Sequence, residues 1–330
     1  MEVYMIQFQF SEEILTEARR AIAEGRTIPL YSDTGFKAFF SRETEAAVFC
    51  RNSFLSAMTG ENIVESAVLN SEVLPEFIGG KNPRLDLNCR TGDGTRVDVE
   101  IQMTKEDDDQ LMRAVYYGSK LFAGSSKSGE FYKDIPKVYQ IMLADFRIFD
   151  DNEYVHHLLF KDQFNNIACK NLQVTILEFQ KIIALVAKML GQKKLSKKTL
   201  NDSENLLETL KNLQDDAFWA ILIRKSDDKN FMKTLVKSEL ADARAKLIKM
   251  AGANMMEVSQ EEKEWAYHLS YDRAEIDYNN GLKLAEMKGA HDKAVESARN
   301  LYANGISIEI IAKSLNMTQE QVSEIVENKN

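Results

Sequence analysis

The stretch R-L-D-L-N-C-R-T-G-D-G-T-R-V-D-V-E-I-Q, Arg84 to Gln102, decides the fold. Its two flanks alternate strictly between apolar and polar residues. Leu85, Leu87 and Cys89 share one face of the first flank, and Val97, Val99 and Ile101 share one face of the second. Alternation over this length predicts a pair of half-buried strands. Gly92-Asp93-Gly94 supplies the positive-φ freedom of a tight reversal, so the strands close as a hairpin. With Asp93 at the tip, Asp86 stands opposite Glu100, Asn88 opposite Asp98 and Arg84 opposite Gln102. Opposed side chains begin about 4.5–5.5 Å apart at Cβ, and two carboxylates at that spacing repel. Two readings stand: a solvated polar face that tolerates the repulsion, or a divalent cation that relieves it.

Upstream of the hairpin, Ser11 caps a short helix that Gly25 ends, and Pro29 to Gly35 is a loop. Apolar spacing then predicts one helix from Phe36 to about Met58, stopped at Thr59-Gly60. Ile63–Leu74 reads as a strand region. Downstream, Glu106-Asp107-Asp108-Asp109 complements the N-terminus of a helix from about Asp108 to Ala123. That helix carries Arg113, Tyr117 and Lys120 at i, i+4 and i+7. Lying over the sheet, it would turn the polar face of the hairpin into the lining of a cleft. Strands follow at Val138–Phe146 and Leu172–Phe179.

From Gln180 onward the pattern is helical, with breaks expected at Gly191–Ser196, Ser226–Asp228, Gly252-Ala253-Asn254, Gly281, Gly289 and Gly305. The fold class is therefore α+β, with a head over residues 1–180 and an all-α region over 181–330 expected to oligomerise or regulate.

Composition narrows the function. The 330 residues carry 42 Lys and Arg against 51 Asp and Glu, a net charge of −9. A uniformly basic coat is excluded, whereas a local basic groove is not. The three cysteines form no C-x-x-C and supply neither a disulfide framework nor a zinc site; Cys50 and Cys89 are expected in the core. No run of 18 apolar residues occurs, and Met1–Phe10 lacks a basic start, so a cytoplasmic protein without a membrane partner is expected. Neither phosphate-binding glycine motif is present. The pair His156-His157 has no acid or cysteine at ligand spacing and is expected to fill surface or core. The lysine-rich stretch Gln192–Lys198 reads as a solvated loop, with phosphate contact as the alternative.

The predicted order helix, strand, hairpin, helix, strand resembles the αβββαβ core of the PD-(D/E)xK nuclease superfamily, a restriction-endonuclease-like fold. Asp86 and the later Glu100-Ile101-Gln102 resemble its D…E-x-K signature, with Gln in place of Lys. The surroundings are more specific. D-T-G-F-K-A-F-F from Asp33, the V-E-I-Q strand, R-A-V-Y-Y-G-S-K-L-F and P-K-V-Y-Q-I-M-L-A-D-F are similar to the Rpn family of recombination-promoting nucleases, grouped with PD-(D/E)xK transposases. The ending A-R-N-L-Y-A-N-G-I-S-I-E-I-I-A-K-S-L-N-M-T-Q-E-Q-V-S-E-I is also similar to that family.

The resemblance implies a Mg²⁺-dependent DNA endonuclease, with Mn²⁺ as a substitute ion, acting in recombination or phage defence. On that basis Asp86, Glu100 and the carbonyl of Ile101 would hold the metal, and Gln102 would orient water or phosphate. Lys37, Arg113 or Lys120 would supply the cation that Gln102 does not, with Tyr117 beside them on the DNA. Glu43 or Glu45 would be a further ligand or part of a solvated helix face. Asp98 would serve a second metal or remain an exposed strand-end acid. The competing class is a nuclease-like fold that binds or regulates without cutting.

The tail Ile306–Val326 has the outline of a helix-turn-helix, with Thr318 and Gln321 as a capping box. Glu320, Glu324 and Glu327 give its second helix the wrong charge for DNA, so a protein partner is expected. Phe231, Leu235, Leu240, Leu247 and Trp265 could form the interface of a homo-oligomer.

Overall fold

Alternation around the Gly92-Asp93-Gly94 turn becomes β2 (Leu87–Thr91) and β3 (Arg96–Gln102) in a computed structural model. The structure describes residues 10–69, 86–105, 109–126, 129, 131–194, 203–228, 231–232 and 243–327. Arg84 and Leu85, and with them the expected start of the hairpin, lie outside these residues. Leu87 pairs with Val99, Asn88 with Asp98 and Cys89 with Val97, which is the predicted register. The turn closes on Asp93, whose carboxylate accepts the Thr95 amide, while Gly94 takes φ +90°.

The hairpin joins a mixed six-stranded sheet of order β1-β2-β3-β4-β6-β5. The other strands are β1 (Ser66–Val68), β4 (Val138–Ala144), β5 (Val155–Lys161) and β6 (Ile167–Glu178). β1, β2 and β3 are antiparallel neighbours; β3, β4 and β6 are parallel, and β5 returns antiparallel on β6. Twelve helices, one of them a 3-10 turn at Tyr132–Asp134, complete an α+β fold among the described residues.

The apolar face of the hairpin meets α2 (Asp33–Ser41) and α3 (Glu45–Thr59). Val97, Val99 and Ile101 join Phe36, Phe39, Phe40 and Phe54 in one core. A single helix was expected here. The chain instead turns at Arg42-Glu43-Thr44, because Thr44 caps α3 through the Ala47 amide and the buried Arg51 guanidinium takes the Phe40 and Arg42 carbonyls. The opposite face of the sheet is covered by α4 (Gln110–Ala123), capped by Asp109 as expected. Ala114 packs there against Met142, Val174 and Ile176. Cys50 and Cys89 are core residues.

Among the described residues β6 leads into α5 (Phe179–Met189), α6 (Ser203–Lys211), α7 (Asp215–Arg224) and α8 (Ala243–Ser259). They supply Ile182, Leu206, Phe218, Trp219 and Leu247 to the same core as the hairpin. The chain divides into compact units at Met1–Leu269 and Ser270–Asn330. The boundary expected at residue 180 falls inside the first unit, since these helices close its core. Phe231, Leu247 and Trp265 are likewise buried within the chain, which corrects their assignment to an oligomer interface; Leu235 and Leu240 lie outside the described residues. No break occurs at Gly252, Gly281 or Gly289, which fall inside α8 and α9 (Glu262–Ala303). At the first of these, tertiary contact overrides glycine's weak helix propensity: Asn254 donates to the Phe39 carbonyl.

In the second unit α10 (Ile308–Leu315) and α11 (Gln319–Glu327) pack around Ala298, Ile311, Ala312 and Val322. Asn316 takes φ +55°, and Thr318 and Gln321 exchange the two hydrogen bonds of a capping box. No helix among the described residues is long and apolar enough to cross a membrane.

Candidate active site

Strand alternation places Arg96, Asp98, Glu100 and Gln102 on the face of β3 that α4 covers. Burial makes two of them costly. Asp98 has no exposed surface and Glu100 is 1% exposed. Neither oxygen of Asp98 makes a hydrogen bond of ordinary geometry among the described residues. The Gln140 amide, which faces Asp98 in the β3–β4 register, stands beside it and favours its charged form, but burial and the charges of Glu100 and Asp86 outweigh that. The Asp98 carboxyl is accordingly held well above the usual range, first by burial. The expectation of an exposed strand-end acid is overturned.

Asp86 lies one residue before β2, where the ladder stops and the chain bends. Its Oδ2 accepts the Ile101 amide at 3.0 Å instead of leaving Asp86 paired across from Glu100. In a strand the N–H and C=O of one residue point toward the same neighbour. The Ile101 carbonyl therefore turns toward the edge that carries Asp86. The other oxygen of Asp86 meets the Lys37 ammonium of α2 at 3.2 Å. Burial and the nearby Asp33 charge raise the Asp86 pKa, and Lys37 and the Ile101 amide oppose that rise.

Glu100 is engaged from the other side. Arg113, in the first turns of α4, donates to Glu100 Oε1 through Nε at 3.2 Å and Nη2 at 2.8 Å. The guanidinium also stacks 5.3 Å from the Tyr117 ring centroid. The half-buried Tyr117 has its pKa raised by burial and by the acids Glu100 and Asp98. The helix can approach closely because residue 118 is glycine. A Cβ there would stand 3.0 Å from Gln140 Cβ and 3.3 Å from Val174 Cγ2.

The cleft thus gathers Asp86, Asp98, Glu100, Lys37, Arg113 and Tyr117. Gln102 lies half-buried at the end of β3, and its carbonyl accepts the Asp145 amide. Lys120 sits seven residues beyond Arg113, roughly 10 Å further along the helix axis, toward the other end of the sheet. Glu43 pairs with Arg51 at the α2–α3 bend, and Glu45 occupies the exposed first turn of α3.

A family model described as PD-(D/E)XK nuclease family transposase matches residues 30–285. The chain belongs to that family. Neither the curated proteins nor the solved structures contain a significant match to it. The PD-(D/E)XK match runs far past residue 180, so the helices that complete the first core belong to the family's unit. Three residues around the cleft and the α2–α3 bend were not legible beforehand. Asp33 raises the Asp86 pKa from α2, Gln140 faces Asp98 from β4, and Arg51 fixes the bend that ends α2. Only Asp33 had a signal, since it precedes the F-K step that carries Lys37.

The remaining sites are not catalytic in layout. His156 stacks on Phe149 at 3.9 Å and bonds Asp151, while His157 bonds Thr175, as filling residues do. A concavity of about 580 Å³ lined by Arg147, Tyr154, Gln180 and Lys188 does not contain the acids. Part of the lysine-rich stretch, residues 195–198, lies outside the described residues.

Proposed function

We propose that the chain is a divalent-cation-dependent DNA endonuclease. Membership of the PD-(D/E)XK family suggests a nuclease. One observation carries the reading further: Asp98 and Glu100 are buried beside Asp86 in a cleft, and the oxygens of Asp98 lack hydrogen bonds of ordinary geometry among the described residues. Such burial is unfavourable in a plain sheet and is typical of sites whose charges wait for a ligand.

The donor set suits a small hard ion. No group of three or more His, Cys, Asp or Glu side chains among the described residues could hold a metal. Asp86, Glu100 and the Ile101 carbonyl would hold it with few protein oxygens, as Mg²⁺ accepts because it keeps several waters. Mn²⁺ takes the same oxygen ligands. A divalent ion held by these oxygens would supply polarisation of the scissile phosphate and a lowered pKa of bound water.

The protein's own groups divide the remaining work. Lys37 holds Asp86 and, being one-third exposed, offers its ammonium to a phosphate oxygen. Arg113 fixes the Glu100 rotamer and places its own charge at the cleft wall. Gln102 orients water or phosphate without adding charge. Tyr117 borders the DNA path.

Nicking of supercoiled plasmid tests this. Wild type should cut with Mg²⁺ and stop in chelator, while Asp86→Asn and Glu100→Gln should be inactive but folded. Equal cutting by either variant overturns the assignment. The second reading, a nuclease fold that only binds or regulates, draws on the internal pairing of Asp86 with Lys37 and of Glu100 with Arg113. It predicts no heat of Mn²⁺ binding by titration calorimetry. The setting in recombination follows the family's description, and phage defence follows the Rpn resemblance. For the second unit we retain a partner-binding or self-association role, supported by the exposure of Tyr302 and Ile310.

A further inference from the structure

Two exposed segments lie at the end of the sheet where β4 and β6 begin. Phe131 and Tyr132 stand at the 3-10 turn before β4, and Phe160, Phe164 and Ile167 stand on the β5–β6 hairpin. The Asn171 side chain donates to the Ile135 carbonyl at 2.6 Å, and Val138 pairs with Leu172, so both segments belong to one end of the sheet. The three exposed phenylalanines among the described residues are all here, with Phe164 75% and Tyr132 89% exposed.

The hairpin tip is built to present Phe164. The Asp162 carboxylate accepts the amides of Phe164 and Asn166, both at 2.9 Å, and the Asn166 side chain at 2.8 Å. Asn165 takes φ +67°. The ring is held outward by a closed polar turn and not by apolar packing.

Charge says what covers it. Lys133, Lys161 and Lys170 are exposed here and have no carboxylate partner among the described residues, in a chain whose net charge is −9. Nearby Lys137 is matched by Glu61, and Asp162 is spent on the turn. The Lys133 ammonium lies 5.4 Å from the Phe131 ring centroid. Flat rings interleaved with unmatched ammonium groups suit a polymer with both π-faces and phosphates. A duplex hides its base faces in the stack, whereas an unpaired strand offers them.

We propose that this end of the sheet binds single-stranded nucleic acid, with bases stacked on Tyr132 and Phe164 and phosphates on Lys133, Lys161 and Lys170. The proposal rests on the nuclease reading for its purpose: it makes DNA with an unpaired stretch the substrate. Glu100 and Ile176 both face Met142, and Ile167 lies nine residues back along β6, roughly 30 Å away. Substitutions in the patch therefore leave the acids untouched.

The test uses the full chain in chelator, so that no cleavage enters. Fluorescence anisotropy follows a labelled strand of about 20 nucleotides, longer than common site sizes, and the matching duplex. The strand should bind more tightly than the duplex. Tyr132→Ala/Phe164→Ala should weaken the strand by at least about tenfold, the loss expected for stacked bases. Lys161→Glu/Lys170→Glu should lower the log–log salt slope by about 1.4. Both pairs are exposed, and unchanged melting curves establish that the variants fold. The idea is overturned if the variants bind as wild type does, if the strand binds no better than the duplex, or if phosphatidylserine vesicles bind and the strand does not. Because binding is read without metal, failure of plasmid nicking leaves this result standing, and the reverse also holds.

Discussion

An aspartate with no exposed atom and no hydrogen bond of ordinary geometry must hold its proton or meet a cation. Asp98 is in that position, and it gives the protein a pH dependence. Its folded-state pKa lies above the unfolded value, so the folded form keeps the extra proton. Stability is then full below the usual carboxylate range and falls as pH climbs toward the raised value. Metal-free wild type should lose melting temperature relative to Asp98→Asn as pH rises above about 4, the ordinary carboxylate range. Calorimetric scans at several pH values measure it, and parallel curves for the two proteins would remove Asp98 as the cause. Mg²⁺ should restore the loss in wild type most at the upper end, because a ligand that binds only the folded form stabilises it. Lys37 sets a different expectation. Lys37→Ala leaves Asp86 without its ammonium and removes the more exposed of the two cations named in the cleft, and cleavage should fall by about 100-fold, as on losing one preorganised donor. Gln102→Ala should cost less, since the amide contributes no charge. Single-turnover rates on a labelled duplex rank the two; a larger loss at Gln102 would reverse the assignment.

At the scale of elements, the cleft depends on how closely α4 approaches the sheet. On an uncrowded helix Gly→Ala stabilises by about 1 kcal/mol. At Gly118 the new Cβ would press on Gln140 and Val174, so Gly118→Ala should be neutral or destabilising and Gly118→Val should cost about 1–3 kcal/mol. Gly118→Val should also cut activity by shifting Arg113 from Glu100, and denaturant melts together with nicking assays read both effects. The hairpin and α4 were legible because each obeys one simple signal: alternation around a glycine turn, and an acidic cap before an amphipathic run. Three features were not. β5 escaped because V-H-H-L-L-F-K does not alternate, as an edge strand with a bulge near Phe160 need not. The α2–α3 bend escaped because the phenylalanine spacing runs on through it, although Thr44 was a readable cap. Gln140 escaped because β4 is buried along its whole length, so no polar face marks the residue that faces Asp98.

The whole molecule depends on segments distant in sequence. Residues after 180 are not an appendage to a finished head. Phe40, Phe54 and Trp219 form one aromatic cluster with centroids 4.8–5.8 Å apart, and Trp219 belongs to α7. Segment 27–30, which leads into α2, is held by Ser226 through the Leu30 amide and by Ser259 through the Ile28 amide. Asn254 of α8 takes the Phe39 carbonyl, two residues from Lys37. Removing these helices would expose Phe36, Phe40 and Phe54 and release the element that carries Lys37. Losing even one such aromatic side chain from a core costs about 3–5 kcal/mol, which is comparable to the stability of many whole domains. A chain ended at residue 180 should therefore fail to fold cooperatively, while one ended at 269 should melt as a single transition. Circular dichroism melts of the two truncations decide it: a cooperative transition in the 180-residue chain would show that the helices decorate the head and do not complete it.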